Sequence, residues 1–350
     1  MFLFLFLWYN KFEIKHKNTY KKQNMKLFDV VTVGSALKDI MFYSNEIDII
    51  KNPKKDPLRE KLMTVEYGAK LPINKVFVNY GGGALNVAVG LKNFGLDVAP
   101  MASLGNDQVG KEIYSYLKGL RISSNLVRVT KEDRTGFSII MTAVKDREHT
   151  IFTHKGASNH LEVFGLRNFR TKWFYVSSLT SHDWALQFDK VVRQTKRNVK
   201  IAWNPGSLQL EEHDKMRMFL PEIELLVLNK DEATQLVKSE KPRTPKAKLK
   251  DTKYLLRTIK SFGPNKVVVT QGARGVAAID DTGNYYYMPS QGVKSKIVDT
   301  VGSGDSFSSG LVAGLVKWDN FEKALKLGIR NSAFVLYRVG AQNGLLKIKL

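Results

Sequence analysis

The strongest constraint on the fold is a glycine-rich turn that runs directly into a long apolar segment. Residues 299–305 read Asp-Thr-Val-Gly-Ser-Gly-Asp, and an apolar run occupies residues 306–316. This pattern predicts a loop that enters a helix, where free backbone N–H groups and the helix dipole favour an anion such as a phosphate. Gly302 and Gly304 would let the backbone approach that anion closely. The turn alone leaves Asp305 either a helix N-cap or a catalytic residue.

Two further motifs lie upstream of this turn. Residues 81–88 read Gly-Gly-Gly-Ala-Leu-Asn-Val-Ala, and residues 229–232 read Asn-Lys-Asp-Glu. In this order, the three motifs resemble the signatures of the ribokinase-like (PfkB) family of carbohydrate and nucleoside kinases, over roughly residues 27–345. The resemblance implies an ATP- and Mg²⁺-dependent phosphotransferase that phosphorylates a hydroxymethyl group of a small sugar, sugar acid or nucleoside.

The resemblance places the chemistry at the glycine-rich turn. Asp305 would be the general base, because the attacking hydroxyl has a pKa far above 7 and must lose its proton as it attacks. The backbone N–H groups of Gly302, Ser303 and Gly304 would form an anion hole for the transferred phosphoryl group. Closure of a lid over the substrate would exclude water and limit ATP hydrolysis.

The acceptor-binding residues implied by the resemblance follow the first strand and the first motif. Asp39 would hold substrate hydroxyls, and Gly82, Gly83 and Asn86 would contact the same acceptor. Leu37 stands where the family's sugar kinases often have Asn. Considered without the resemblance, Asp39 also fits a loop residue that satisfies backbone groups, and Asn86 fits a helix-start residue.

The nucleotide and metal sites are also implied by the resemblance. The nucleotide-binding residues would be Asn229, Thr270, Gly272, Gly275 and Asn331. Glu232 would hold Mg²⁺ through water, since Mg²⁺ is a hard cation that keeps several of its waters. Asp299 would border a site for a monovalent cation such as K⁺, which is common in the family.

The rest of the chain predicts an α/β fold. Short apolar segments alternate with helical patterns, which indicates a mainly parallel sheet with right-handed crossovers. With the resemblance, the prediction is a ribokinase-like three-layer α/β/α sandwich, with a small inserted β-sheet lid from strands within about residues 38–80 and 134–155. The basic, proline-containing residues 238–250 are predicted to form an exposed loop.

The predicted kinase domain covers residues 25–345, and residues 346–350 form a predicted C-terminal tail. Residues 1–24 combine an apolar start with a basic run, too short to span a bilayer and without the order of a signal peptide. We expect translation to begin at Met25, which would leave residues 1–24 outside the native protein. A peripheral membrane anchor is the alternative for this segment.

Composition limits the partners. The formal net charge is +22 and the chain has no cysteine, which fits a cytoplasmic protein without disulfides or a Cys-based zinc site. The lysines are spread along the chain, so we expect no specific nucleic-acid partner, although a binding or nucleic-acid-associated protein that has lost catalysis is the rival reading. A dinucleotide-binding oxidoreductase is excluded because no Gly-x-Gly-x-x-Gly follows the first strand. Lid sheets of this family often pair across dimers, so the resemblance leaves a homodimer formed through the lid open.

Overall fold

The computed structural model describes residues 25–54, 61–144 and 149–350 of the chain. The strands are β1 Lys26–Val33, β2 Leu37–Ser44, β3 Asp48–Lys51, β4 Lys61–Thr64, β5 Lys75–Gly81, β6 Val98–Gly105, β7 Val127–Thr130, β8 Thr135–Ala143, β9 His149–Gly156, β10 Phe169–Val176, β11 Lys200–Trp203, β12 Leu225–Asn229, β13 Lys266–Thr270, β14 Val276–Ile279 and β15 Tyr285–Met288. The helices are α1 Gly83–Asn93, α2 Gln108–Gly119, α3 Trp184–Val192, α4 Ser207–Glu211, α5 His213–Phe219, α6 Lys230–Glu240, α7 Lys246–Lys250, α8 Thr252–Lys260, α9 Ser303–Trp318 and α10 Phe321–Val335.

The central sheet has nine strands in the order β15-β14-β13-β12-β11-β10-β1-β6-β7. The pairs from β12–β13 through to β6–β7 are parallel, while β13–β14 and β14–β15 are antiparallel. Strands such as β1 are short and apolar because both faces of a parallel sheet are covered by helices. The predicted mainly parallel sheet is confirmed.

Two layers of helices cover this sheet. On one face, apolar residues of α3, α5, α6 and α8 pack with the strands in one buried cluster. It contains the rings of Phe188 and Trp203, whose centroids lie 4.2 Å apart with the ring planes tilted by 33°. On the other face, α1, α9 and α10 pack against alternate strand residues, and α2 adds a smaller cluster beside β6. This is the three-layer α/β/α sandwich that the sequence predicted.

A second sheet of four strands stands apart from the sandwich, in the order β5-β2-β8-β9. Because side chains of a strand alternate between the two faces, one row across this lid sheet is polar and the next is apolar. Asp39, Ser138 and Thr153 form a row that lines a cavity over the core. The predicted lid is therefore present, and β3 with β4 adds a separate two-stranded hairpin.

Two predicted boundaries need correction. The basic segment 238–250 is not a continuous loop, because it contains the exposed helix α7. This helix ends two residues before α8 begins. The residues 346–350, predicted as a tail, are packed onto the domain: Leu346 is buried in the core, and the Ile348 N–H donates to the Asn93 carbonyl at 3.1 Å. Residues 1–24, with their predicted extension, lie outside the described residues. Among the described residues, no helix has the length and apolar character needed to cross a bilayer.

Candidate active site

The glycine-rich turn enters α9 as the sequence predicted. Gly302 has φ of 75°, a left-handed conformation that favours glycine, and a Cβ there would lie 2.2 Å from the Ala341 Cβ. Within residues 25–54, 61–144 and 149–350, the N–H groups of Gly302 and Gly304 have no hydrogen-bond acceptor. The Ser303 N–H, expected in the same hole, donates to the Thr300 carbonyl at 3.3 Å. The turn therefore presents free N–H groups beside the helix start, as an anion site requires.

Asp305 lies in the first turn of α9 and faces the first motif. The Asn86 Nδ2 donates to the Asp305 Oδ2 at 2.8 Å. A Cβ added at Gly83 would lie 3.9 Å from the Asp305 Oδ1. Burial raises the pKa of Asp305 to about 6, and the hydrogen bond from Asn86 opposes that shift. The two motifs, more than two hundred residues apart in the chain, thus form one site around a carboxylate that accepts protons near neutral pH.

A hydrogen-bond relay behind Asn86 was not foreseen from the sequence. The Gln342 Nε2 donates to the Asn86 Oδ1 at 2.8 Å, and the Tyr116 hydroxyl donates to the Gln342 Oε1 at 2.6 Å. With its oxygen engaged by Gln342, the Asn86 amide directs its nitrogen to Asp305. No local sequence signal marks Gln342, because it reaches the site from the segment after α10.

A cavity of about 330 Å³ lies between the lid and the first turn of α9. The polar and charged residues that line it include Ser35, Asp39, Asn86, Ser138, Thr153, Lys155, Ser177, Ser178, Asn204, Glu232 and Asp305. The glycines Gly82, Gly83 and Gly302 line it as well. All four residues that the resemblance assigned to the acceptor therefore meet here, together with Lys155, which the sequence reading missed.

Asp39 is the buried acid of the lid. Asp39 is only 8% exposed, and a Cβ added at Gly81 would lie 1.9 Å from the Asp39 Oδ2. Burial raises the pKa of Asp39 to about 7, and repulsion from Asp305 acts in the same direction. A hydrogen bond with Ser138 and the charge of Lys155 oppose the shift. The carboxylate is thus held in a dry position where it can accept hydrogen bonds from ligand hydroxyls.

A second cleft, of about 90 Å³, lies on the other side of the same helix start. It is lined by Thr270, Gly272, Gly275, Val276, Ser290, Ser303, Gly304, Phe307, Ile329 and Ser332. Gly275 has φ of 93°, and a Cβ there would lie 2.1 Å from the Met288 carbonyl oxygen. The predicted nucleotide residues Thr270, Gly272 and Gly275 are therefore brought together, beside the backbone of the anion hole.

Asn331, expected to contact the nucleotide, is placed elsewhere. Its side chain is fully buried, and its Nδ2 donates to the Ser306 carbonyl at 2.7 Å and to the Ser309 Oγ at 3.1 Å. Its Oδ1 accepts the Leu346 N–H at 2.9 Å. Asn331 thus fixes α10 to α9, and the next residue, Ser332, lines the cleft instead. Helical spacing explains the difference, because adjacent helix residues point in different directions.

Asn229 and Glu232 form a reciprocal cap at the start of α6. The Asn229 Oδ1 accepts the Glu232 N–H, and the Glu232 Oε2 accepts the Asn229 N–H, both at 2.8 Å. Among the described residues, the other carboxylate oxygen of Glu232 has no hydrogen-bond partner, and the residue lines the lid cavity. Burial raises the pKa of Glu232, opposed by the Asn229 N–H. An open carboxylate oxygen fits a hard cation and its waters.

Asp299 is buried below the glycine-rich turn. Its Oδ1 accepts the Val301 N–H at 3.1 Å, and its Oδ2 accepts the Gly340 N–H at 2.8 Å. Both oxygens are already engaged by backbone groups, so a monovalent cation would have to share them. The described contacts establish Asp299 as the residue that fixes the turn to the segment after α10.

Comparisons with known proteins identify first the class and then the family. The structure of Arabidopsis thaliana ribokinase complexed with ribose and ATP matches with a TM-score of 0.71 at 20% identity, covering 91% of this chain and 96% of that one. The fold is therefore the ribokinase fold. A family model described as pfkB family carbohydrate kinase matches residues 37–348. The chain belongs to this family and is a kinase that phosphorylates a sugar or a nucleoside.

The similar relatives differ in their acceptors. The nucleoside kinase of Methanocaldococcus jannaschii is 28% identical over 274 residues, which cover 76% of this chain and 82% of the relative. The 5-dehydro-2-deoxygluconokinase of Halalkalibacterium halodurans is 24% identical over 347 residues, covering 95% of each chain. A neutral nucleoside and a sugar acid are thus both represented among proteins at this level of similarity.

Proposed function

We propose that the protein transfers the γ-phosphoryl group of ATP to a hydroxymethyl group of a small sugar, sugar acid or nucleoside, with Asp305 as the general base. The observation that carries this proposal is the position of Asp305 at the helix start between the two clefts. Asp305 and Gly302 line the lid cavity, while Ser303 and Gly304 line the second cleft. An acceptor in the first cleft and a nucleotide in the second would meet at this point.

Each part of the site has a role in this reaction. The acceptor hydroxyl gives its proton to Asp305 as its oxygen attacks the γ-phosphorus, and the bond to the leaving ADP oxygen breaks. The free N–H groups of Gly302 and Gly304 stabilise the charge on the equatorial oxygens. Asn86 holds the Asp305 carboxylate, and Asp39 binds other hydroxyls of the acceptor. Ribokinase-fold neighbours crystallised with ATP or ADP support ATP as the donor.

Mg²⁺ supplies charge neutralisation on the phosphates when bound. Glu232 would hold it through water with its open oxygen, next to the cap that it forms with Asn229. Asp299 would border a K⁺ site only by sharing oxygens that already accept N–H groups, so no step depends on it. We propose a cytoplasmic enzyme with no specific nucleic-acid partner.

Asp305→Asn tests the catalytic proposal. Because Asn keeps the shape but cannot accept the proton, we expect kcat to fall by about 10²–10⁴-fold while the affinity for ATP changes by less than about 3-fold. Asp319→Asn at the exposed end of the same helix is the matched control and should keep full activity. Near-normal turnover in Asp305→Asn would reject the base. ATP binding without turnover in the unmodified protein would favour the non-catalytic alternative.

We also propose that the lid sheet pairs with that of a second copy of the chain. Val78, Ile40, Ile139 and Phe152 form an apolar row across all four lid strands, on the face opposite Asp39. Val78 and Phe152 are 54% and 55% exposed. An apolar row of this kind on a highly charged protein is typical of an interface.

Light scattering on the purified protein tests this pairing. We expect a dimer at micromolar concentration, and a monomer for the double variant Val78→Glu, Phe152→Glu, because two buried charges would face each other. A monomeric unmodified protein at the same concentration would reject the lid dimer.

A further inference from the structure

Lys155 is a cationic residue in the acceptor cavity that none of the motifs assigned. It is the penultimate residue of β9, directly before Gly156, and its half-buried side chain lines the cavity with Asp39 and Asp305. Of the residues that line this cavity in the described chain, Lys155 is the one with a positive charge. Lys155 is therefore the side chain through which the cavity attracts an anion, in addition to the free backbone N–H of Gly302.

Among the described residues, Lys155 has no salt-bridge partner, although the charge of Asp39 acts on it from a greater distance. Within residues 25–54, 61–144 and 149–350, its Nζ makes no hydrogen bond and has no carboxylate oxygen within 4.0 Å. Other partly buried lysines are paired: Lys266 lies 2.6 Å from the Glu224 Oε1, and Lys38 lies 3.0 Å from the Glu112 Oε2. Burial lowers the pKa of Lys155, and the Asp39 charge only opposes that shift. An ammonium removed from water without a partner is costly, so a ligand group is the expected partner.

Two of the three acids of the cavity accept hydrogen bonds from other groups, and the third, Asp39, attracts Lys155 without a direct contact. Asp305 accepts from Asn86, and Glu232 accepts the backbone N–H at the start of α6. Asp39 lies on β2 across the lid sheet from β9, with β8 between them. Lys155 thus faces the cavity from the lid, while Asp305 faces it from the core helix. A ligand that fills the cavity would meet both the lysine and the base.

We propose that the acceptor carries an anionic group, a carboxylate or a phosphate, and that Lys155 binds this group while the hydroxyl to be phosphorylated lies at Asp305. This inference rests on the proposed kinase function and narrows its acceptor. Asp39 binds the hydroxyls between the two ends. Lys155 is then a specificity-determining residue, because a neutral sugar or nucleoside leaves the ammonium without a partner.

A different role for Lys155 makes a different prediction. If the lysine only keeps Asp39 ionised, its removal weakens every acceptor alike, since Asp39 binds hydroxyls that neutral and anionic acceptors share. If the lysine binds the acceptor's own charge, its removal weakens the anionic acceptors alone. Acceptors compared in pairs that carry or lack the anionic group, and that share their other hydroxyls, therefore separate the two roles.

The test measures kcat/KM for such pairs in the full-length protein. The pairs are 2-keto-3-deoxygluconate with its carboxamide, for the carboxylate, and fructose 6-phosphate with fructose, for the phosphate; adenosine and cytidine are additional neutral acceptors. We expect the unmodified protein to prefer one anionic member by roughly 30-fold or more, as a charge-assisted hydrogen bond implies. Whichever pair shows the preference identifies the anion.

Substitutions of Lys155 complete the test. Lys155→Gln should lower kcat/KM for the preferred anion by roughly 30-fold and change that of its neutral partner by less than about 3-fold. Lys155→Arg should retain most of the preference, because it keeps the charge. Lys131→Gln, at an exposed lysine outside the cavity, is the matched control and should change nothing.

The outcomes separate this inference from the kinase proposal. Equal use of charged and neutral acceptors by the unmodified protein overturns the anionic acceptor and leaves the kinase standing. An equal loss of kcat/KM for both members of a pair in Lys155→Gln also overturns the anionic acceptor and leaves the kinase standing. The role of the lysine is then to keep Asp39 ionised. Failure of all acceptors, with ATP bound, overturns the proposed function and this inference with it. If Lys155→Gln does not fold, the ratio of kcat/KM for charged and neutral acceptors in the unmodified protein and in Lys155→Arg still decides whether the acceptor is anionic.

Discussion

The two clefts that meet at the start of α9 are lined by different kinds of residue. The acceptor cavity is lined by charged side chains from the lid and the core, among them Asp39, Lys155 and Asp305. The nucleotide cleft is lined by glycines, short hydroxyl side chains and a few apolar residues, with no charged side chain among its lining residues in the described chain. One cleft thus recognises its ligand mainly through side chains, and the other mainly through backbone.

This difference has an energetic consequence. Where side chains carry recognition, an isosteric substitution that removes one charge leaves a buried partner unsatisfied and costs much affinity. Where backbone N–H groups carry recognition, loss of a side-chain hydroxyl costs little, because the donors remain. Substitutions on the acceptor side should therefore have larger effects than matched substitutions on the nucleotide side.

Of the substitutions that compare the two clefts, Asp39→Asn is expected to have the largest effect. The Asp39 carboxylate would accept hydrogen bonds from acceptor hydroxyls at a buried position. We therefore expect kcat/KM for the acceptor to fall by roughly 100-fold or more, with the KM for ATP changed by less than about 3-fold. Thr270→Val is the matched substitution in the nucleotide cleft and should change the KM for ATP by less than about 5-fold. Steady-state kinetics with each substrate varied in turn measures both. A larger effect of Thr270→Val than of Asp39→Asn would break the contrast between the clefts.

The pKa of Asp39 gives the same substitution a second, opposite effect on stability. The folded-state pKa is raised from 3.8 to about 7, mainly by burial. Below pH 3.8 both the folded and the unfolded state hold the proton, and the free energy of unfolding is not reduced by Asp39. As the pH rises from 3.8 to about 7, the unfolded state loses the proton first, so the folded state loses stability relative to it. Asn has no charge to bury, so Asp39→Asn should raise Tm at pH 8 relative to the unmodified protein and lose this advantage towards pH 4. Thermal unfolding of both proteins at pH 8 and pH 4 measures this advantage. The same Tm difference between variant and unmodified protein at both pH values would contradict a cost of burying the Asp39 charge.

The same contrast explains what the sequence could predict. Gly272, Gly275 and Gly302 are recognisable because their spacing is local: the turn that needs a glycine lies within a few residues of it. The resemblance assigned Asn86 to the acceptor and Asp305 to the base, and the structure places the two side chains in direct contact. The alternating lid strands and the parallel sheet were likewise predictable from periodicity.

What the sequence could not supply depends on packing between distant segments. Lys155 follows two other polar residues, Thr153 and His154, at the end of β9, and nothing local distinguishes it from solvent-exposed lysines. Gln342 acts on Asn86 only because the segment after α10 returns to α1. Asn331 was assigned to the wrong face of α10, since one helical position separates a buried hydrogen bond from the cleft wall. Side-chain direction on a helix requires the packing partner to be known.

A smaller effect than that of Asp39→Asn is expected for Glu232→Gln, at the residue that links the two clefts. Asn229 pairs with Thr270 across β12 and β13, so the cap at the start of α6 borders the nucleotide strand while Glu232 itself lines the acceptor cavity. Gln can replace Glu in a capping box, so the helix start should be preserved. The charge on the open oxygen is lost, and because contact with Mg²⁺ runs through water, we expect the Mg²⁺ concentration for half-maximal activity to rise by roughly 10-fold with little change in the maximal rate. Asp231→Asn, at the exposed neighbour in the same helix turn, is the control and should not shift the titration. An unchanged Mg²⁺ titration in Glu232→Gln would place the metal elsewhere and make Glu232 only a cap, which would leave the acceptor cavity with one fewer functional charge.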